Sequence, residues 1–127
     1  MEIGIKGEKT VLVTAEVTAE QIGSGLLPVY ATPMMIAEME NAAQSSVQPY
    51  LEEGEGTVGT RMNVSHVSAT PVGMKVRIET ELTQVDRRRL VFSVKAYDEA
   101  GLIGEGEHER FIIQNEKFMA KTNAKLS

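Results

Sequence analysis

The sequence predicts an α+β fold in which a curved antiparallel β-sheet wraps around one long central helix. Three observations carry this. After Thr32-Pro33, apolar residues recur at helical steps of three and four. Beyond Gly56 the period changes to two and holds through four segments divided by short turns. One segment rich in β-branched residues precedes the helix. A single amphipathic helix cannot bury its stripe alone, so the sheet must close over it.

The elements follow in order. Residues 9–17 alternate and read as the first strand. Residues 18–22 begin a short helical turn, which Gly23-Ser24-Gly25 breaks. Residues 26–30 are apolar but contain Pro28, and read as a packed loop. Thr32 is the expected N-cap of the long helix, with Pro33 at its first helical position. The inward stripe is Met35, Met39, Ala42, Ala43, Ser46, Val47 and Tyr50, on a helix of about 18 residues. Gly54 and Gly56 close it. Residues 57–69, 74–86, 89–99 and 102–115 read as strands, and their short turns make them pair antiparallel. The polar tail, 116–127, is expected to be loose.

The 127 residues fit one domain, 1–127. A net charge of −5 argues against a nucleic-acid surface. The absence of cysteine excludes disulfides, thiolate metal sites and a cysteine nucleophile. The N-terminus lacks the layout of a signal peptide, and no apolar run approaches the ~18 residues of a membrane span. A cytoplasmic protein with no membrane partner is expected. Neither a phosphate-binding Gly-x-x-x-x-Gly-Lys-Ser/Thr loop nor a Gly-x-Ser-x-Gly elbow is present.

Three residues are candidates for chemistry, each with a plainer role. Thr32 serves as a helix cap, or offers a hydroxyl at the positive end of a helix. Glu40 lies beside Ile36 at the edge of the apolar stripe. It is a boundary carboxylate, or a general base that has lost hydration. His66 alternates with Val58, Met62 and Val64. It is a hydrogen-bonded core ring, or a proton carrier. His108 shares a mixed face with Gly104, Gly106 and Arg110 and reads as structural. Two histidines in distant segments make no convincing metal site.

A resemblance sharpens these readings. Pro49-Tyr50-Leu51-Glu52-Glu53-Gly54-Glu55-Gly56-Thr57-Val58-Gly59-Thr60, Val64-Ser65-His66-Val67-Ser68-Ala69-Thr70-Pro71, and Gly106-Glu107-His108-Glu109-Arg110 carry it. So does Glu116-Lys117-Phe118-Met119-Ala120-Lys121. Here the chain resembles the fluoroacetyl-CoA thioesterase-like branch of the hotdog superfamily, from about Leu26 to Lys121. The resemblance implies hydrolysis of an acyl-CoA, with Thr32, Glu40 and His66 as catalytic residues meeting in one cleft. It implies an oxyanion donor in the Gly59 amide, since glycine permits close approach. It also implies a homodimer, with no metal or cofactor. Tyr30 stands in the segment that borders the acyl group, and Arg61, Arg87 and Arg88 are candidates for the CoA phosphates. Pro33 replaces an expected glycine, and Leu26, Leu27, Val29 and Tyr30 replace lid phenylalanines. A short-chain or small apolar acyl group is therefore expected rather than a fluorinated one. The competing reading is a hotdog that binds acyl-CoA without cleaving it.

Overall fold

The computed structural model describes residues 1–127. Five strands form one antiparallel sheet: β1 (Lys6–Leu12), β2 (Glu55–His66), β3 (Lys75–Asp86), β4 (Arg89–Asp98) and β5 (Gly101–Gln114). Their spatial order is β1-β3-β4-β5-β2, so β1 and β2 are the edges. The four-residue α1 (Ala19–Ile22) leads into a loop, and the long α2 (Thr32–Val47) lies against one sheet face. α3 (Asn115–Asn123) follows β5.

The helical stripe buries from Met35 to Val47, but Ser46 is only half-buried and Tyr50, expected to face inward, is exposed because the helix has by then tightened into a 3-10 turn. Met35, Met39, Ala42, Ala43 and Val47 have almost no exposed surface and meet Ile78, Leu82, Phe92 and Val94 from the sheet. Fully burying a side chain of this size stabilises by roughly 1.5–3 kcal/mol. This packing fixes α2 on the sheet, and so fixes every group the helix carries.

Three expected elements are corrected. β1 begins at Lys6 and ends at Leu12, because Leu12 pairs with Lys75, where β3 starts. Beyond it only Val13 still pairs, through backbone hydrogen bonds with Gly73 and Met74, and Ala15–Val17 turns into a 3-10 helix. α2 runs for 16 residues, and Gln48–Tyr50 tightens into a 3-10 turn. The tail forms α3, with Glu116 in its first turn and Lys121 in its last, each sign suited to its end of the helix dipole. Asn115 N–H donates to the Gly54 carbonyl at 2.9 Å and moors that helix.

β2 departs from strict alternation. A bulge at Thr60 shifts the register between Gly59 and Arg61. Thr57 and Gly59 face α2 before the bulge, and Met62, Val64 and His66 face it afterwards. Val58 is therefore on the opposite face from His66, paired with Phe111.

Gly106, on β5, is also an inward position. A Cβ there would meet the Asn63 carbonyl and the Val64 backbone, neither of which can yield. Gly106→Ala is expected to cost about 3 kcal/mol by overpacking, read as a lowered midpoint in chemical denaturation. An unchanged midpoint would show that β2 does not lie this close to β5.

Candidate active site

Thr32 is the first helical residue of α2, and Ala31 occupies the cap position without a side-chain cap bond. This corrects the N-cap reading and releases the hydroxyl. Thr32 Oγ1 lies 2.7 Å from Nδ1 of His66. The first turn has little left for an anion. Pro33 lacks an N–H, and Met34 and Met35 both donate to the Ala31 carbonyl at 3.0 and 3.1 Å.

His66 closes β2 and is half-buried. Burial pushes its pKa below the ordinary histidine value, and the nearby Ser68 backbone partly opposes the shift. A neutral imidazole whose Nδ1 faces a hydroxyl can take that hydroxyl's proton. Its Nε2 is buried and has no partner in this chain. Thr32 and His66 line a cavity of about 740 Å³ together with Val29, Tyr30, Ile36 and Val67. Tyr30 turns its ring inward, and burial, then Glu38, holds its hydroxyl well above the usual tyrosine range.

Glu40 stands elsewhere. It sits two turns further along α2, roughly 12 Å at 1.5 Å per residue. Its carboxylate was expected among apolar neighbours. Instead it lies at Gly59 among charged and polar groups. A Cβ on Gly59 would sit 2.9 Å from Glu40 Oε2, 3.2 Å from His108 Cε1 and 3.4 Å from Arg110 Nη1. The missing side chain of Gly59 thus leaves a hollow faced by a carboxylate, an imidazole and a guanidinium. The chain brings Thr32 and His66 together, and brings Glu40 and Gly59 together, in two places.

Arg110 is the residue the sequence reading missed. It is only 7% exposed. Its Nε donates to Thr57 Oγ1 at 2.7 Å, and its Nη2 donates to the Thr57 carbonyl at 2.9 Å. Burial lowers its pKa and the Glu40 charge pulls it back up. A buried guanidinium is costly unless paired and hydrogen-bonded, and here it is held on several sides. The signal available was the face it shares with Gly104 and Gly106: two glycines side by side mark a close approach, hence an inner face.

The other arginines lie apart from the cavity. Arg61 follows the bulge and is exposed. Arg87 and Arg88 form the β3–β4 hairpin, where Arg87 adopts φ 59° and Arg88 Nη1 reaches Glu55 at 3.8 Å. That hairpin lies near Ile112, at the end of the sheet opposite His66.

Residues 13–116 match the model of the fluoroacetyl-CoA-specific thioesterase family. Over 97 residues the chain is 46% identical to the fluoroacetyl-CoA thioesterase of Streptantibioticus cattleyicolor, spanning 76% of this chain and 70% of that protein. A solved structure of the fluoroacetyl-CoA thioesterase FlK superimposes with a TM-score of 0.93 at 37% identity, covering 98% of this chain and 97% of that one. A hot-dog-like protein from Thermanaerovibrio acidaminovorans shares the fold alone, with a TM-score of 0.92 at 22% identity over 100% of this chain and 94% of that one. The sheet, its buried helix and these relatives define a hotdog-fold thioester hydrolase. The chain belongs to the fluoroacetyl-CoA-specific thioesterase family.

The hollow at Gly59 has no room for a methyl group without moving Glu40 or His108. Gly59→Ala is expected to lower kcat/KM against small acyl-CoAs by about a hundredfold, at unchanged melting temperature, through misplacement of these groups. Wild-type kinetics in this variant would remove the hollow from the site.

Proposed function

We propose that this thioesterase hydrolyses CoA thioesters of short-chain or small apolar acids, in the cytoplasm, with a site built by two copies of the chain. The observation that carries the proposal is the 2.7 Å contact between Thr32 and His66 at the mouth of a largely apolar cavity. The loop after α1 borders that cavity through Ser24 and Val29. Leu26, 90% exposed, and Leu27, 65% exposed, lie in the same loop and suit an apolar acyl group.

The case for two copies is spatial. β2 is a twelve-residue edge strand with one side unpaired. Such an edge is a template for another chain. With the extra residue of the Thr60 bulge left unpaired, a two-fold axis through Asn63 would set Gly59 of one copy opposite His66 of the other. The unpartnered Nε2 of His66 would then face the Glu40 carboxylate, completing a hydroxyl–imidazole–carboxylate series. Ile112 donates its N–H to the carbonyl of Arg88, the hairpin residue just before β4, so by antiparallel alternation Arg110 also turns to β4. Gly59, opposite Arg110, then presents its amide at the free edge as an oxyanion donor. The basic β3–β4 hairpin would likewise approach the other copy's cavity, where Arg87 and Arg88 suit CoA phosphates.

The chemistry follows. Thr32 Oγ1 attacks the thioester carbon while its proton passes to His66 Nδ1. The carbonyl oxygen gains negative charge beside the Gly59 amide. The C–S bond breaks, and CoA leaves as a thiol with the proton from His66. Water then attacks the acyl-threonine, again through His66, and releases the acid.

Free-thiol release from a panel of acyl-CoAs tests the activity. Quenched single turnovers are expected to yield a tryptic peptide acylated at Thr32. Acyl transfer to Glu40, or none at all, would contradict a threonine nucleophile. The active imidazole is neutral, so kcat/KM falls as pH drops through the His66 pKa. Burial lowers that pKa, and a facing carboxylate raises it. Glu40→Gln is therefore expected to move the acid limb to lower pH as well as reducing the rate. An acid limb that stays in place would separate Glu40 from His66.

A further inference from the structure

We propose that His108 is a positioning residue of this site: a neutral ring, protonated on Nδ1, that aims the Arg110 guanidinium at the hollow beside Gly59. The inference rests on reading that hollow as half of the thioesterase site.

His108 is 1% exposed and makes two contacts of opposite sense. Its Nδ1 lies 2.8 Å from the Arg61 carbonyl oxygen, which can only accept. Its Nε2 lies 3.1 Å from Arg110 Nη1, which can only donate. One ring nitrogen must carry the proton and the other must be bare. A doubly protonated ring would place an N–H against a guanidinium N–H.

The consequence for Arg110 is positional. Thr57 holds Nε and Nη2, so without His108 the third nitrogen would be unanchored. With His108, all three nitrogens are tied, and Nη1 retains one N–H on the side of the hollow. The ring plane is fixed by stacking on Phe92, with centroids 6.3 Å apart at 29°. The Arg61 carbonyl belongs to the β2 bulge, so the ring joins that bulge to the guanidinium. The charged groups around the ring are Glu40 from α2, and Glu109 and Arg110 from β5. An apolar residue here would leave both the carbonyl and Nη1 unpaired.

His66→Gln leaves His108 as the one histidine of the chain. Its ring nitrogens, read by nitrogen-15 NMR near neutral pH, are expected to show a protonated Nδ1 and a bare Nε2. A protonated Nε2 would overturn the proposal. Kinetics of two variants give the second reading. His108→Gln can still accept from Arg110 and is expected to keep kcat within about threefold of wild type, whereas His108→Asn should lose roughly tenfold to a hundredfold in kcat with little change in KM. Equal rates in the two folded variants would overturn it. If either variant does not fold, the nitrogen spectrum decides. A wild-type chain that releases no thiol from any acyl-CoA would overturn the thioesterase reading itself. A protonated Nε2 with thiol release intact would overturn the positioning claim alone.

Discussion

Thr32 and Glu40 ride on one rigid helix, which fixes how far apart they are. Two turns separate them along α2. On the sheet, His66 and Gly59 lie roughly 20 Å apart along β2 at about 3.3 Å per residue. The hydroxyl is bonded to His66, and the carboxylate lies against Gly59. No rotamer change brings Glu40 to Nε2 of its own chain's His66. The apolar packing of α2 on the sheet makes this separation a property of the core, not of flexible side chains.

The same geometry explains the polar features of each half. At the cavity, a threonine that does not cap its helix is free to bond to an imidazole kept neutral by burial. At the hollow, a glycine is required because three functional groups crowd the place of its side chain. A buried arginine sits there because Thr57, His108 and the Glu40 charge together offset its desolvation. Each half is incomplete in one respect: His66 Nε2 lacks a partner, and the hollow lacks a nucleophile. Joining two copies along β2, as proposed, would supply both.

Much of the architecture was legible in the residues. The stripe from Met35 to Val47 announced α2, and the switch to period two announced the four strands that follow. Three things were less legible, each for a physical reason. The Thr60 bulge shifts strand parity without any residue that demands it, so Val58 was assigned to the wrong face. β1 ends where β3 begins, a limit set by a partner more than sixty residues away. Arg110 and His108 were set aside because charged groups beside glycines resemble a surface, although those glycines mark the face that α2 covers. Thr32 and His66 could be paired from the family resemblance, but their hydrogen bond and the separate placement of Glu40 required the fold.

The most direct measurement is complementation between two variants that each lose most of their activity. Thr32→Ala and Glu40→Gln are purified separately, then unfolded and refolded together in equal amounts. If the site takes Thr32 from one copy and Glu40 from the other, each mixed dimer holds one intact site. Random pairing then restores about a quarter of wild-type activity. If both residues serve the same site within one chain, no mixed dimer has an intact site, and the mixture stays as inactive as its parts.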